Sequence, residues 1–393
     1  MQQPNRIRIL FVIASLAGGP RTGIRNILLH LDRQNFEPFV AYFHIKGIVN
    51  IPETYWEELR RAGVPVWIFK MCHPLDFMAF LRFFLFLARM HFSVLYLPLR
   101  LLDSIGSLMA HVLGIPVFVS KHGFPQHNTV KSHIKLPWHI KRAMYVSEKL
   151  STSLATRIRT VSRANKSVYI RLFGVKPTKI VVIPNGLELA DKIDSSETVF
   201  YRESILKGCS GVKVIGLVGS LVPIKGHSTY IRAAALVKER MSNVKWLIVC
   251  DVTEKMRPYQ RELLALAKRL EVEDMVEFIN YRPDVYAILD VAVVPSFIED
   301  CPHVVLEAMK YGKAVVASKV GGIPELVTDG ETGLLFPPLD HQRLADKLLY
   351  LLEDVSRPHL MGVKGRERLR NNFCVHNVVK ALEREIQTIA KSG

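Results

Sequence analysis

The sequence predicts an α/β protein built from two doubly wound domains, each a parallel sheet with helices on both faces. Short β-branched runs alternate with longer amphipathic segments along the chain, which is the pattern of parallel strands joined by crossover helices. The pattern restarts at Val214 after an irregular stretch. A length of 393 residues also exceeds the roughly 250 to 300 residues at which a single core stops growing.

The first half contains eight short runs that favour strands. They are Arg8 to Ala14, Phe39 to Phe43, Val64 to Ile68, Val94 to Leu97, Val117 to Val119, Ala143 to Val146, Thr160 to Val161 and Ile180 to Ile183. The second half has six: Val214 to Val218, Trp246 to Cys250, Val276 to Phe278, Val291 to Val294, Ala314 to Ala317 and Gly333 to Phe336. Each half is therefore long enough for one doubly wound domain.

The domain boundary is predicted at the turn signal Pro184, Asn185 and Gly186. The polar stretch from Leu187 to Lys213 has no sustained period, as expected of a hinge. We assign residues 1–185 to an N-terminal domain and 186–374 to a C-terminal domain. Residues 375–393 are predicted to form a helix that crosses back to the first domain.

Charge and cysteine content limit the partners and the compartment. The formal net charge of +17 makes an anionic partner plausible, whether nucleic acid, membrane surface or phosphorylated ligand. Five scattered cysteines without a Cys-x-x-Cys pair suggest neither a disulfide framework nor a zinc site, which favours a cytoplasmic chain. The apolar region Phe77 to Leu101 carries three arginines, so no membrane-spanning helix is expected.

Chemistry is expected just after the strands, because ligands bind open α/β sheets outside the strands' carboxyl ends. Gly18 and Gly19 follow the first strand and would let backbone N–H groups approach a phosphate, although a tight turn also explains them. His122 follows another strand in Lys121-His122-Gly123. Lys225, beside Gly226, can neutralise a diphosphate, with a solvated loop lysine as the alternative.

The densest group of candidates extends from Pro295 to Met309. A strand ends there, Glu299 lies in the following loop, and Pro302 marks the first turn of a helix. The first N–H groups of that helix, those of His303, Val304 and Val305, would face an anion. Glu307, one turn further, could grip vicinal hydroxyls. The alternative is that Glu299 and Asp300 form an acidic N-terminal cap and that Glu307 is only exposed on the helix.

Together these pieces resemble the retaining nucleotide-sugar glycosyltransferases of family 4, whose GT-B architecture has two Rossmann-like domains facing each other across a cleft. The two glutamates, Glu299 and Glu307, are the most specific mark of that family when Pro-Ser precedes them and Ala-Met follows. The matching pieces are Gly18-Gly19, Lys121-His122-Gly123, Thr160-Val161-Ser162, Lys179 to Gly186, Lys225-Gly226, Pro295 to Met309 and Gly321 to Val327.

The resemblance implies that residues 1–185 form an acceptor-binding domain and residues 186–374 a domain that binds the nucleotide-sugar donor. It also implies a role for each matched position. Glu307 would hold the ribose hydroxyls, Lys225 the diphosphate and Glu299 the transferring sugar. Gly19 would approach the phosphate from the other domain, and His122 would hydrogen-bond the sugar or its leaving group. The catalytic residues are then Glu299, His122 and Lys225. Ser220 departs from the pattern, because the family commonly has arginine there, so half of the expected cationic clamp is missing.

The expected reaction transfers a sugar from a UDP- or GDP-linked donor, which is a substrate, and needs no cofactor. No Asp-x-Asp motif occurs in the chain, so we expect no catalytic metal. Retention of anomeric configuration is implied by the family alone. Two other functions stay open: a nucleotide-sugar epimerase of the same architecture and a non-catalytic protein that binds anionic ligands. No nucleic-acid-binding motif supports nucleic acid as the partner.

The acceptor is expected to be a glycan or a lipid-linked sugar. Basic and apolar side chains alternate from Lys131 to Arg159, with Trp138 among them. This composition suits the inner face of an anionic plasma membrane, where the chain would bind peripherally. An ordinary helix with a solvated basic face explains it equally well.

Overall fold

The chain divides into two compact α/β units. The computed structural model describes residues 6–14, 19–45, 51–73, 76–98, 100–123, 137–189, 195–206 and 211–391. Among these residues, unit 1 contains those up to 186 together with those from 375 onward, and unit 2 contains 187–374.

The described residues of unit 1 form one parallel sheet with strand order β3-β2-β1-β4-β5-β6-β7. The strands are β1 Ile7–Ile13, β2 Phe36–Ile45, β3 Val66–Met71, β4 Val94–Leu97, β5 Val117–Lys121, β6 Arg157–Thr160 and β7 Ile180–Val182. In the centre, Leu10 of β1 is paired with Phe39 on one side and Leu95 on the other. The strand order reverses between β1 and β4, which defines a topological switch point.

Helices connect these strands and cover both faces of the sheet. They are α1 Gly19–His30, α2 Glu53–Arg61, α3 Phe77–Met90, α4 Arg100–Val112, α5 Trp138–Leu154 and α6 Arg163–Phe173. Local sequence explains several helix starts: the Asp76 carboxylate accepts from the Ala79 N–H at 3.1 Å and caps α3. Ser162 caps α6 in the same way, accepting from the Asn165 N–H at 3.0 Å.

The strand predicted at Ala143 to Val146 is wrong, because these residues lie inside α5. The buried positions of that helix, Glu148, Ser151 and Thr152, recur at the three- and four-residue spacing of an α-helix. Tyrosine and valine made the short run resemble a strand, but the helical period continues on both sides of it. The other predicted strands exist, with ends shifted by a few residues.

Alternation of side chains along β1 builds two core layers in unit 1. Ile9, Phe11 and Ile13 belong to one buried cluster, and Leu10 and Val12 belong to the other. The first cluster includes residues of α1 and of the C-terminal helix, and the second includes the aromatic face of α3.

Unit 2 contains a second parallel sheet, which has the order β10-β9-β8-β11-β12-β13 among the described residues. The strands are β8 Lys213–Val218, β9 Val244–Val249, β10 Val276–Ile279, β11 Val291–Val294, β12 Ala314–Ser318 and β13 Gly333–Phe336. The helices are α7 Ser195–Leu206, α8 His227–Lys238, α9 Arg257–Arg269, α10 Val285–Ile288, α11 His303–Lys310, α12 Ile323–Leu326, α13 His341–Leu352 and α14 Ser356–Arg368. Ile231, Leu263 and Leu348 of α8, α9 and α13 share one buried cluster with the sheet.

The last helix, α15 Val375–Ala390, packs in unit 1 although the chain reaches it from unit 2. Val378, Leu382 and Ile386 lie on one face at helical spacing and join the cluster that contains β1. Across the described residues, no helix combines the length and the apolar composition that crossing a bilayer requires.

Candidate functional site

The candidate site in unit 2 lies at the point where the strand order reverses. β8 and β11 are neighbours at this switch point, paired through Ile215 and Val291. The loop after β8 carries Lys225, and the loop after β11 carries Glu299. Because parallel strands end at the same edge of a sheet, the two loops meet there.

A close backbone contact holds the Lys225 loop against the end of β11. Gly226 has φ +76, and a Cβ atom on it would lie 2.0 Å from the Pro295 carbonyl oxygen. Only glycine combines this left-handed backbone with this approach. The Phe297 N–H also donates to the Ile224 carbonyl at 2.8 Å. The loop sequence therefore positions Lys225 beside the polar loop that follows β11.

Lys225 and Glu299 form an ion pair across these two loops. The Lys225 side chain is 28% exposed and that of Glu299 is 11% exposed. The Ser296 hydroxyl donates to the same carboxylate oxygen at 2.9 Å. These contacts hold Glu299 in the loop, so it does not act as the acidic N-terminal cap that the sequence left open.

The Glu299 backbone is held from the loop after β12. The Gly322 N–H donates to the Glu299 carbonyl at 3.1 Å. A Cβ atom on Gly321, where φ is +50, would lie 1.7 Å from that carbonyl oxygen. Gly321 must therefore be glycine for this approach, which explains part of a motif that the sequence described only as a turn or a pocket wall.

Glu307 lies half-buried in α11 and accepts a hydrogen bond from the Tyr286 hydroxyl at 2.8 Å. Burial raises the pKa of Glu307, and the hydrogen bond from Tyr286 only partly offsets that effect. Tyr286 is itself buried and stacks on Tyr311 with ring centroids 5.9 Å apart. Sequence reasoning missed Tyr286, since its apolar neighbours Val285 and Ala287 make it look like a core residue.

The first turn of α11 contains the three predicted backbone donors. His303 and Val305 are buried, and Val304 is half-buried. The Val305 N–H donates to the Pro302 carbonyl at 3.2 Å, so this donor is already used within the chain. The N–H groups of His303 and Val304 stay as the predicted anion contacts of this helix.

Ser220 is exposed directly after β8, in the position where the family pattern has a cation. Its backbone carbonyl accepts from the Val222 N–H at 2.9 Å, which forms the turn before Lys225. An exposed position leaves room for a longer side chain.

In unit 1, the predicted site residues follow β1 and β5. Gly18 lies outside the described residues, and Gly19 begins α1 at the carboxyl end of β1. His122 directly follows β5, and its Nε2 lies 3.0 Å from the Ser120 hydroxyl. The roles predicted for these residues stay predictions.

Next to His122, Lys121 is fully buried with two carboxylates. Its Nζ lies 2.8 Å from Asp103 of α4 and 2.7 Å from Glu148 of α5. Burial alone lowers the pKa of Lys121, but the two carboxylates outweigh it and the pKa lies above its ordinary value. The Tyr169 hydroxyl donates to Glu148 at 2.7 Å. Sequence reasoning missed this cluster because its members are far apart along the chain.

No cluster of three or more His, Cys, Asp or Glu side chains suited to a metal ion occurs in the described part of the chain. The residues gathered at the switch point instead supply one cation, two carboxylates and a helix N-terminus. Such a set fits a ligand that combines phosphate with sugar hydroxyls.

The fold thus defines an α/β protein with two compact units, each built on one parallel doubly wound sheet. The family model "Glycosyltransferase Family 4" matches residues 17–191, and the model "Glycosyl transferases group 1" matches residues 208–368. The chain belongs to glycosyltransferase family 4. The family resemblance and the GT-B fold class predicted from the sequence are confirmed.

Curated relatives match parts of the chain. A D-inositol 3-phosphate glycosyltransferase of Kribbella flavida is 32% identical over 207 residues, which cover 49% of this chain and 47% of that protein. The capsular polysaccharide biosynthesis glycosyltransferase CapM of Staphylococcus aureus is 26% identical over 255 residues, 64% of this chain and 66% of CapM. The matched region spans about half the length of the Kribbella flavida protein and of similar D-inositol 3-phosphate glycosyltransferases.

A solved structure shows the same fold over nearly the whole chain. The Anabaena protein HepE in complex with UDP-glucose superposes with a TM-score of 0.79, covering 98% of this chain and 100% of HepE. Sequence identity in that comparison is 22%, so it establishes the fold.

Proposed function

We propose that this protein is a retaining, metal-independent glycosyltransferase that moves a sugar from a UDP- or GDP-linked donor to a glycan or lipid-linked acceptor. The observation that carries the proposal is the contact between Lys225 and Glu299 at the switch point of unit 2. The names of the relatives support the reaction class. The UDP-glucose bound to HepE supports a nucleotide-sugar donor.

In the proposed reaction, the bond between the sugar and the diphosphate breaks and negative charge develops on the leaving group. Lys225 stabilises that charge, together with the N–H groups of His303 and Val304 at the start of α11. Glu299 orients both Lys225 and the sugar hydroxyls. Glu307, held by Tyr286, grips the ribose. Attack by the acceptor on the same face, with the leaving phosphate taking its proton, gives retention.

Ligand-dependent stabilisation tests the donor proposal. Ligands that bind only the folded state raise its melting temperature, so nucleoside diphosphates and nucleotide sugars should be screened by thermal shift. We expect UDP or GDP and a matching nucleotide sugar to raise the Tm. Lys225→Met should remove the shift, and the exposed Lys268→Met on α9 serves as the matched control. A screen without any nucleotide-dependent shift would contradict the donor proposal.

Ser220 provides a gain-of-function test of the same site. Ser220→Arg restores the cation of the family pattern at an exposed position. If the loop faces a diphosphate, the added charged hydrogen bond should tighten donor binding by roughly ten- to a hundredfold. Weaker or unchanged binding would mean that the loop does not face the diphosphate.

Metal independence rests on the missing Asp-x-Asp motif and on the cationic groups that replace a metal ion. Transfer should continue in excess EDTA. Complete loss that magnesium or manganese restores would overturn this part of the proposal. Product analysis separates transfer from the epimerase alternative, since only transfer joins the sugar to an acceptor.

The proposed acceptor is a lipid-linked sugar or another cell-envelope glycan, used by a cytoplasmic chain at the inner face of the membrane. The capsular polysaccharide role in CapM's name supports this class. Transfer of labelled sugar to lipid extracts, compared with soluble glycans, tests it. Exclusive use of a soluble small molecule would contradict a lipid-linked acceptor.

A further inference from the structure

A groove on the surface of unit 1 combines apolar side chains with positive charge. It lies between α4 and α5 and has a volume of about 630 Å³. Ile105 and Leu108 of α4 line one side, and Trp138, Arg142, Val146 and Leu150 of α5 line the other. The Ser104 and Ser147 hydroxyls, 2.6 Å apart, link the two helices. We call this groove and its rim the α4–α5 surface.

Large apolar side chains on this surface are exposed to water. Trp138 is 72% exposed, Val146 55% and Leu108 48%. Single exposed apolar residues are ordinary, but several around one groove indicate a binding surface. Tryptophan is the side chain most suited to a boundary between apolar and aqueous phases, since it has a large apolar ring and one N–H donor.

The acidic side chains of α4 and α5 are buried, whereas three basic side chains of α5 are exposed. Each helix has one acidic residue, Asp103 and Glu148, and both are buried against Lys121. The cations Lys141, Arg142 and Lys149 are exposed on α5. Among the described residues none of these three cations forms an ion pair. The outer face of the helix pair therefore presents positive charge with no exposed carboxylate of its own.

We propose that the α4–α5 surface docks unit 1 on an anionic lipid bilayer. Lys141, Arg142 and Lys149 contact the acidic headgroups, and Trp138 and Val146 enter the boundary between headgroups and acyl chains. Charge complementarity favours an anionic bilayer at this surface, because a purely apolar partner would provide no counter-charge for the three cations. The inference rests on the peripheral membrane location in the proposed function and assigns it to particular residues.

Vesicle sedimentation of the full chain tests the docking. The probes are vesicles of phosphatidylcholine alone and vesicles with roughly 30 mol% phosphatidylglycerol. The protein should sediment with the anionic vesicles at low salt and leave them at about 0.5 M salt, where the Debye length is only a few ångström. Equal binding to both vesicle types at low salt would overturn the proposal.

Paired variants assign the binding to this surface. Arg142→Gln with Lys149→Gln should lower partition onto anionic vesicles roughly thirtyfold, because each basic residue near such a surface contributes about 1 kcal/mol. Trp138→Ala with Val146→Ser should lower it roughly tenfold through lost apolar contact. The matched control is Arg261→Gln with Lys268→Gln, two exposed cations on α9 of unit 2. Circular dichroism verifies that every variant is folded.

Two results would reject the α4–α5 surface. One is that both paired variants of this surface partition onto anionic vesicles as strongly as the wild type does. The other is a wild-type dimer that the Trp138→Ala and Val146→Ser variant dissociates, which would assign the surface to a second copy of the chain. Thermal shifts with UDP or GDP, without vesicles, separate this inference from the proposed function. The paired variants of the α4–α5 surface should keep the rise in Tm that UDP or GDP produces. If the wild-type protein binds anionic vesicles but no nucleotide raises its Tm, the docking inference stands and the transferase proposal is rejected.

Discussion

Two lysines lie at or beyond the carboxyl ends of strands, one in each unit, and their surroundings are opposite. Lys121 of unit 1 has no exposed side-chain surface and contacts two buried carboxylates. Lys225 of unit 2 is partly exposed and contacts one carboxylate, that of Glu299. In the sequence both are a lysine after a strand and close to a glycine.

The difference separates a structural cation from one that a ligand can reach. Lys121 holds α4 and α5 to the end of β5, and removing it leaves two carboxylates buried without a counter-ion. The Lys225 side chain is partly exposed, so under the proposed function it would exchange its contact with Glu299 for a phosphate. Burial, rather than residue type, decides which lysine is available for binding.

The largest expected effect is on the free energy of unfolding. If it is not observed, the distinction between a structural Lys121 and an accessible Lys225 is wrong. Lys121→Met should lower the free energy of unfolding by about 3 to 5 kcal/mol, because it leaves a buried charge uncompensated. Lys225→Met should lower it by about 1 kcal/mol or less, as for partly exposed ion pairs. Urea unfolding followed by circular dichroism measures both, with separate transitions of the two units fitted individually.

A double variant controls for a simple packing defect at Lys121. Glu148→Gln added to Lys121→Met removes one of the uncompensated carboxylates, so it should restore part of the lost stability. Equal losses in Lys121→Met and Lys225→Met, or no recovery in the double variant, would mean that the buried cluster is not the structural element described above.

The second prediction concerns Glu299 and Glu307, the two glutamates of the candidate site that contains the partly exposed Lys225. Glu307→Gln should mainly weaken donor binding, because a ribose contact is similar in the ground state and the transition state. Glu299→Gln should mainly lower turnover, because it lies beside Lys225, where charge develops. Each loss should be about 1.5 to 3 kcal/mol, or roughly ten- to a hundredfold.

Kinetics with varied donor at saturating acceptor separate these effects, and circular dichroism verifies folding. If both variants keep wild-type turnover and donor affinity, the glutamates have only local structural roles. The transferase site would then have to lie elsewhere.

The smallest expected effect is the pH dependence contributed by His227, two residues after Lys225 but fully buried. Burial lowers the pKa of His227 to about 4, a nearby Val222 carbonyl weakly opposes this, and the charge on Lys225 adds to it. The unfolded chain titrates near pH 6.5. Stability from the neutral ring is therefore present above pH 6.5 and is lost as the pH falls toward 4.

Between pH 8 and pH 5 this group should remove about 2 kcal/mol of stability. The difference in unfolding free energy between wild type and His227→Gln should shrink by that amount over the same interval. Urea titrations at both pH values measure it. A difference that does not change with pH would show that the ring is charged, or hydrated, in the folded protein.

Much of the fold could be predicted from the sequence. Parallel strands buried on both faces read as short β-branched runs, and crossover helices read as amphipathic segments, so the fold class followed from periodicity. The error at Ala143 to Val146 arose because four residues are too few to distinguish the two-residue period of a strand from the 3.6-residue period of an α-helix. The positions of Glu299 and Lys225 in loops after strands also followed from the sequence, whereas their meeting at the switch point required the strand order of the folded sheet.

The sequence by itself determined the two α/β units, the loops that carry the candidate residues and the family. Only the tertiary structure decided which charged groups are buried. It paired Tyr286 with Glu307 and turned Asp103 and Glu148 inward onto Lys121. These contacts join residues distant along the chain, and the pKa of each group depends on burial and neighbouring charge, which local periodicity does not encode.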